Sequence, residues 1–449
     1  MSNGRPRGSF VGSVLLIVIG ALFLIHNFHP ELISWRWIGY WWPVLLIVLG
    51  LVRLIENLAL RRGGRFLTGG EFFLLVLVIL IGIGASFWGR IAPHIDINPE
   101  EDIPFGESAD VTDELPAHDL KPGAVVTINT PRGDISVDGS PDAKQLRIVV
   151  RKTAFAMSEE EAHKRASDAR VDVRDTPQGV NVDAAVTARS SGNVRVSLEV
   201  HLPENVSLDL RTSRGDVRIN DVKGSVAVSV ARGDVEIRDT GGDVRTDLGR
   251  GDVRVATTKG NVHVSGKGSQ IEVSDVAGTA TIEGEFYGPI TARSVAKGAR
   301  FISERTDLTI GELAGRMTIA SGDLNIENAA GPVLLTTKEK DISIENVKGR
   351  IRVQNKRGDV SVRLSSPPQE EIDLSNESGG VSLALPSRSG FELSALSRSG
   401  EIDNDFDSSG LKSTKTEKGD AQLNGKVGAK GPQITLNTSY GSIRLKRSD

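Results

Sequence analysis

The most conspicuous candidates for chemistry are three Arg-Gly-Asp triplets, each followed by valine and spaced 18 residues apart. They are Arg214-Gly215-Asp216, Arg232-Gly233-Asp234 and Arg250-Gly251-Asp252. Such a triplet can bind a receptor, and a column of aspartates can bind calcium. Calcium-binding β-rolls, however, use a Gly-Gly-x-Gly-x-Asp pattern that is absent here, and the arginines would neutralise the aspartates. We therefore interpret each triplet as a repeated turn, in which glycine provides the geometry and aspartate bonds nearby backbone.

No other group of residues has the spacing of a catalytic or metal site. The chain has no cysteine, and its seven histidines are scattered without the spacing of zinc ligands. A glycan-processing β-helix enzyme with a carboxylate pair remains an alternative, because acidic residues are abundant. Sugar-binding grooves usually offer Trp or Tyr, however, and no tryptophan follows Trp88. The sequence predicts a protein that is not an enzyme, without catalytic, cofactor-binding or metal-binding residues.

The triplets belong to a longer repeat that predicts an all-β parallel β-solenoid (β-helix) of about 18 residues per coil. Apolar residues form one column, with a second column two residues later, as expected for short strands with one face inward. The first column is Val217, Val235, Val253, Ile271, Ile290, Leu308, Leu324, Ile342 and Val360. It continues more loosely through Val381, Ile402, Ala421 and Ile443. One such unit cannot bury its apolar face alone, so stacked units must share a continuous core.

The limits of the repeat divide the chain after residue 90 into three segments. Residues 207–449 are assigned to the solenoid. Residues 123–206 are predicted to form a capping β subdomain, because an open end would expose strand edges and core. A short helix is predicted to start there at Ser158, with Glu161 completing a capping box. Residues 91–122 are acidic and rich in proline, which predicts an extended linker.

Three apolar runs predict transmembrane helices at about 10–28, 37–55 and 72–88, within residues 1–90. A cleaved signal peptide is the alternative for the first run, but no small-x-small cleavage site follows it. Orientation follows from basic residues in the short loops, which here lie before the first run and between the second and third. They are Arg5, Arg7, Arg61, Arg62 and Arg65. The sequence predicts a protein of the cytoplasmic (inner) membrane, with a cytoplasmic N-terminus and a solenoid that is periplasmic or at the cell surface.

Two parts of the sequence resemble known bacterial families. Trp37-Ile-Gly-Tyr-Trp-Trp-Pro43, with the apolar run to Gly50, resembles the transmembrane region of Lia-type envelope-stress proteins. That resemblance implies a link to envelope-stress signalling and to restraint of a sensor kinase. The recurrent Gly-Asp-Val units and the strand Val196–Pro203 resemble an adhesin-like β-strand-repeat domain of unknown function, over about 120–449. That resemblance implies the solenoid fold and an adhesive role.

These observations leave two main functional hypotheses. The first is a non-enzymatic, adhesin-like or scaffold protein of the cell envelope, whose partners besides the lipid bilayer are envelope proteins or surface glycans. The second is an envelope-stress regulator that acts on a membrane sensor kinase. A nucleic-acid partner is not expected, because the chain after residue 100 is mildly acidic whereas nucleic-acid binding needs a basic face. No cofactor is predicted.

Overall fold

The computed structural model describes residues 107–185, 194–406, 410–416 and 419–448. They are mostly β, with one helix and 32 strands that pair into one large sheet. Many of the strands are parallel, which is consistent with the expected solenoid. The predicted helices at 10–28, 37–55 and 72–88 and their orientation lie outside the described residues. Within the described part, no helix has the length and hydrophobicity that a membrane crossing requires.

The N-terminal part of the described chain contains eight strands and the helix. They are β1 (Glu107–Glu114), β2 (His118–Asp119), β3 (Val125–Arg132), β4 (Ile135–Ser140), β5 (Gln145–Ala156), α1 (Glu159–Asp168), β6 (Arg170–Thr176), β7 (Gly179–Ala185) and β8 (Val194–Pro203). The side chain of Ser158 accepts a hydrogen bond from the backbone N–H of Glu161 at 3.4 Å, so the predicted helix start is confirmed. Strands β5 and β8, which lie before and after the helix in the sequence, pair antiparallel with each other.

Strand β1 corrects the prediction of an extended linker over 91–122. It pairs antiparallel with β5 along its whole length, and its Asp113 forms an ion pair with Lys152 at 2.6 Å. Its half-buried positions are occupied by Ala109, Val111 and Asp113. One valine and one alanine give too weak an alternation to identify a strand from the sequence. The ordered sheet therefore begins inside the stretch expected to be a linker.

The regular part of the chain consists of parallel strands in two columns. Its strands are β9 (Ser207–Arg214), β10 (Val217–Asn220), β11 (Val226–Val230), β12 (Val235–Thr240), β13 (Val244–Leu248), β14 (Val253–Thr258), β15 (Val262–Gly268), β16 (Ile271–Val276), β17 (Ala280–Phe286), β18 (Ile290–Val295) and β19 (Ala299–Ile302). Odd-numbered strands stack on one another to form face A, and even-numbered strands form face B. The predicted first column is confirmed from Val217 to Ile290, where each member is the Cα partner of the next. Most inward side chains are buried valines and isoleucines, which fill the narrow interior.

The remaining strands complete the ladder. They are β20 (Thr306–Ile319), β21 (Asp323–Glu339), β22 (Asp341–Val347), β23 (Ile351–Arg357), β24 (Val360–Arg363), β25 (Ile372–Ser378), β26 (Val381–Pro386), β27 (Phe391–Ser397), β28 (Ile402–Asn404), β29 (Leu411–Lys415), β30 (Ala421–Val427), β31 (Gln433–Tyr440) and β32 (Ile443–Ser448). Parallel stacking resumes from β21 onwards, with Leu324, Ile342 and Val360 as successive partners on face B. β29 and β30 form an antiparallel hairpin beside β27 at this end of the ladder.

The prediction that Leu308 continues the first column is wrong. After β19 a tight turn, closed by the hydrogen bond from the N–H of Ser303 to the carbonyl of Thr306 at 2.8 Å, reverses the chain. β20 therefore runs antiparallel to both β19 and β18, so Leu308 lies on face A opposite Phe301, and Ile319 lies beside Ile290. Alternation has the same period in both directions along a strand, so the apolar pattern cannot reveal a reversal.

Near the C-terminus the order of strands in space departs from their order in the sequence. β31 lies between β25 and β27, and β32 lies between β26 and β28, all in parallel pairing. The predicted column therefore runs Val381, Ile443, Ile402 in space. Ala421 is not part of it, because β30 pairs antiparallel with β27 on the other face. The final coil, 433–448, is thus inserted into the stack.

A similar insertion occurs at the other end. β3 pairs parallel with both β7 and β9, and β4 pairs parallel with both β8 and β10. The coil formed by residues 125–140 thus lies between coils that follow it in the sequence. The parallel ladder consequently crosses the expected boundary at residue 206, although the division into subdomains itself stays a prediction.

Candidate functional site

One corner of the ladder, where the chain passes from face A to face B, carries the Arg-Gly-Asp triplets. The backbone N–H of Asp234 donates to Oδ1 of Asp216 at 3.0 Å, and the N–H of Asp252 donates to Oδ1 of Asp234 at 2.9 Å. The same bond joins Asp216 to Asp134 and Gln270 to Asp252. Each aspartate thus fixes the next coil through a charge-assisted hydrogen bond, which confirms the interpretation of the triplets as structural turns.

The corner glycines are required by the closeness of successive coils. Gly233 has φ +145°, and a Cβ atom there would lie 2.1 Å from the carbonyl oxygen of Gly215. At the opposite corner the chain passes from face B back to face A. Gly242 there is not in a left-handed conformation, but an added Cβ would lie 2.7 Å from the carbonyl carbon of Gly224. In seven coils the left-handed position at that corner is occupied by a residue that bears a side chain. These residues are Asp221, Asp239, Thr257, Asp275, Ser294, Asn328 and Asn346.

The outward positions of face B form a ladder of opposite charges. Arg218, Glu236, Arg254 and Glu272 are successive Cα partners. Nε of Arg254 lies 3.0 Å from a carboxylate oxygen of Glu272, and Nε of Arg218 lies 3.9 Å from Glu236. Because strands repeat about every 4.8 Å, the stack holds these charges in a fixed array. Among the described residues no cluster of His, Asp or Glu has the geometry of a metal site.

A second candidate site lies where the ladder reverses. Here the chain passes from face A to face B at two places, through residues 287–289 between β17 and β18 and through residues 338–341 between β21 and β22. Between these crossings, two hairpin turns at 303–305 and 320–322 return the chain to the face from which it came. The crossings are three strand spacings apart, about 14 Å. We call the resulting cavity of about 870 Å³ the corner slot.

The corner slot has an apolar floor and a polar rim. Phe301, Ile290 and Ile319 belong to the buried core and reach its lining, whereas Tyr287 at the rim is 84% exposed. The rim carries four acidic side chains and an equal number of basic ones. The basic side chains are Lys267, Arg305, Lys340 and Arg357. Hydrogen-bond donors and acceptors are therefore present together around an exposed aromatic ring.

Lys340 holds the two sides of the corner slot together. Its Nζ donates to the carbonyl oxygen of Ser321 at 2.6 Å and also to that of Ala320, which fixes the turn between β20 and β21. Burial lowers the pKa of Lys340, and the nearby Arg305 lowers it further, while the carboxylate of Asp323 opposes both effects. The ammonium group thus serves mainly to order the wall of the slot.

A second perturbed group lies on the outer side of face A. Burial raises the pKa of Asp373 and the carboxylate of Glu371 adds to the rise, whereas the guanidinium of Arg352 opposes it. Nε of Arg352 lies 3.4 Å from Oδ2 of Asp373. This pair joins adjacent strands of the ladder and is not part of the corner slot.

The sequence predicted no site residues, and it gave no direct sign of the corner slot. The available signal was the irregular step of 16 residues between Leu308 and Leu324 in an 18-residue repeat. A second signal was the replacement of Arg-Gly-Asp by Tyr287-Gly288-Pro289 at the corner. Only strand pairing shows that both irregularities surround one cavity.

Comparison with protein families confirms both resemblances. Residues 243–446 match the family described as Toastrack DUF4097, and residues 10–54 match the LiaI-LiaF-like transmembrane region. The chain therefore combines a β-repeat region similar to Toastrack domains with an N-terminal region similar to the membrane segment of LiaI and LiaF. No curated protein matches the chain.

Several solved structures are similar to the chain at low identity. A candidate cell adhesion protein of Clostridium sporogenes is 11% identical, with a TM-score of 0.17, and the match covers 76% of this chain and 100% of that one. A candidate adhesin of Bacteroides fragilis is 11% identical, with a TM-score of 0.18, over 75% and 97% of the two chains. A candidate lipid-binding protein of Parabacteroides distasonis is 13% identical, with a TM-score of 0.23, over 76% and 98%. All three TM-scores are below 0.5, so neither fold nor function is inferred from these structures.

Proposed function

We propose that the chain is a membrane-anchored, non-enzymatic interaction protein of the cell envelope, whose β-solenoid presents a long polar surface outside the cytoplasm. The observation that carries this proposal is the fixed array of charges on face B. Side chains such as Arg254 and Glu272 repeat at a constant spacing on a scaffold that backbone ladders make rigid. A rigid surface loses little conformational entropy on association, which favours a role in binding.

Anchoring is supported by the match of residues 10–54 to a transmembrane family. We propose three helices within 1–90, a cytoplasmic N-terminus, and a ladder that is periplasmic or at the cell surface. The capping subdomain, 123–206, would close the N-terminal end of the ladder. A reporter enzyme active only outside the cytoplasm, fused after residue 449, should be active. An inactive fusion, with an active one after residue 62, would reverse the proposed orientation.

Association with the envelope is tested by replacing the natural chain, in the cells that produce it, with a variant that lacks residues 123–449. The deletion should leave the N-terminal region resistant to carbonate extraction, while crosslinked envelope partners disappear. A second variant exchanges the charges of one pair, Arg254→Glu with Glu272→Arg, which keeps that ion pair but places a carboxylate beside Glu236 and so breaks the alternation on face B. This variant should still insert and fold, and it should weaken partner crosslinking if the charge array is the binding surface. Partner crosslinking that survives the deletion would show that the ladder is not the interacting part.

A regulatory role is the second candidate, because residues 10–54 match the LiaI-LiaF-like transmembrane region, and the resemblance of this region to Lia-type proteins implies envelope-stress signalling. In that case the helices contact a sensor kinase and the ladder responds to the state of the envelope. A photocrosslinker placed in the loop between Trp35 and Trp42 distinguishes the two functions. Crosslinks to a histidine kinase favour regulation, whereas crosslinks only from ladder positions to envelope material favour the interaction role.

A further inference from the structure

The corner slot is distinct from the rest of the ladder because it interrupts the wall. Along the coils from β9 to β16 a corner segment crosses at every strand spacing, and the aspartates of this corner accept hydrogen bonds from the next coil, as Asp234 does from the N–H of Asp252. At the slot the hairpin turns at 303–305 and 320–322 leave the corner unbridged over about 14 Å. The opening therefore extends over three strand spacings along the ladder, which is long enough for a short chain-like ligand.

The exposed ring of Tyr287 is the strongest indication of what the slot receives. Tyrosine combines an apolar ring with a polar hydroxyl, which suits it to a contact that is partly apolar and partly wet. The turn of Tyr287-Gly288-Pro289 places this ring at the rim, directly after Phe286, which packs partly against the core. A flat exposed aromatic beside a polar rim is suited to stacking against the C–H face of a sugar ring.

The charges of the rim decide between ligand classes. Four basic and four acidic side chains leave no net charge, so a polyanion would meet as much repulsion as attraction. The ion pair of Arg357 with Glu339, at 3.6 Å, already satisfies part of the rim internally. Hydroxyl groups both donate and accept hydrogen bonds, and a rim that offers carboxylates beside ammonium and guanidinium groups matches both roles. These features favour a neutral, hydroxyl-rich chain.

We propose that the corner slot binds a neutral glycan chain, with Tyr287 as the stacking platform and with the charged side chains of the rim as its hydrogen-bonding partners. The inference rests on the proposed interaction function and assigns it a ligand class and a site. Lys340 is a positioning residue in this arrangement, because it fixes the turn at 320–322 and so keeps the slot open.

The chain contains a matched control for Tyr287. Tyr440-Gly441-Ser442 forms the equivalent corner of the inserted coil, and Tyr440 is 66% exposed. Tyr440 is outside the slot lining. Alanine at either position removes an exposed ring of the same kind, so both variants should fold like the natural chain.

The experiment measures binding of the full chain in detergent micelles to oligosaccharides of N-acetylglucosamine and of glucose, by calorimetry. Dextran sulfate and phosphatidylglycerol vesicles serve as the polyanionic and lipid probes. We expect at least one neutral oligosaccharide to bind, Tyr287→Ala to raise its Kd roughly ten-fold or more, and Tyr440→Ala to leave it unchanged. Circular dichroism confirms that both variants are folded.

Three outcomes would overturn the inference. They are no binding of any neutral oligosaccharide, equal loss of affinity in the two variants, and binding of dextran sulfate or vesicles alone. Envelope crosslinking of the Tyr287→Ala chain in cells separates this inference from the proposed function. If that crosslinking persists while oligosaccharide binding is absent, the slot assignment fails and the interaction role stands.

Discussion

Replacement of Gly233 by alanine tests how closely successive coils approach at the corner. In the structure Gly233 has φ +145°, and an added Cβ would lie 2.1 Å from the carbonyl oxygen and 2.6 Å from the carbonyl carbon of Gly215. Both atoms belong to the backbone of the preceding coil, which is itself held by the ladder on either side. The contact therefore cannot be relieved by rotation of a side chain.

The expected cost has two parts. A side-chain-bearing residue in this backbone region costs about 1–3 kcal/mol. Overpacking against fixed atoms adds about 1–3 kcal/mol. The sum is about 2–6 kcal/mol, a large share of the roughly 5–15 kcal/mol by which a folded domain is stable. We expect the Gly233→Ala chain to unfold at a clearly lower urea concentration than the natural chain.

The assay is urea unfolding of the full chain in detergent, followed by circular dichroism of the β signal and by protease sensitivity. Gly380→Ala is the matched control, because Gly380 lies at the same corner on a later coil, has no left-handed φ, and its added Cβ would meet nothing closer than 3.5 Å. That variant should unfold within about 0.5 kcal/mol of the natural chain. If Gly233→Ala behaves like Gly380→Ala, the close approach of corner turns does not exist and the reasoning is refuted.

Four further predictions follow from particular contacts. Asp234→Ala should cost about 1–2 kcal/mol of unfolding free energy, since the N–H of Asp252 loses its acceptor, whereas Asp234→Asn keeps Oδ1 and should cost less; equal losses in urea unfolding would contradict this. Thr257→Asn should stabilise by about 1 kcal/mol, because a β-branched residue is strained at φ 56°, and an unchanged midpoint would count against it. Because the pKa of Asp373 is raised in the folded state, its ionised form disfavours folding at neutral pH. This cost disappears as the pH falls from the raised pKa to the ordinary pKa of an aspartate. Asp373→Asn should remove this part of the pH dependence of stability, which is measured as unfolding midpoints over a pH series. Deletion of residues 433–448 should expose the strand edges on both sides of the inserted coil and cause aggregation, which size-exclusion chromatography detects. A synthetic peptide of the same residues should reverse the aggregation. A deletion chain that stays monomeric and protease-resistant would disprove the insertion.

Much of the ladder follows from the sequence because strand period and coil period are both local. Alternation identifies inward residues such as Val235 and Ile237, and the 18-residue repeat identifies their partners one coil away. The interior lies between two narrow faces, so two or three apolar side chains per strand are sufficient to fill it. The role of Asp234 as a backbone acceptor could be predicted for the same reason, since its partner is the equivalent residue of the next coil.

Within the ladder, the departures from the prediction involve direction or order rather than periodicity. Leu308 fits the expected column by spacing, yet the hairpin after β19 places it opposite Phe301 on the other face. Val381, Ile402 and Ile443 share a column as predicted, but the inserted final coil changes their order in space. An apolar residue every second position satisfies a parallel or an antiparallel neighbour equally well.

The sequence by itself determined that the repeat region of the chain is a stack of short strands with inward columns rich in β-branched residues, because burial of those side chains depends only on their period. The tertiary structure alone decided where the stack reverses and which coils are inserted into it, because those choices depend on pairing between distant strands. The corner slot belongs to the second group. In the sequence Tyr287 is only one irregular turn residue. The cavity beside it forms because the chain reverses direction before and after β20.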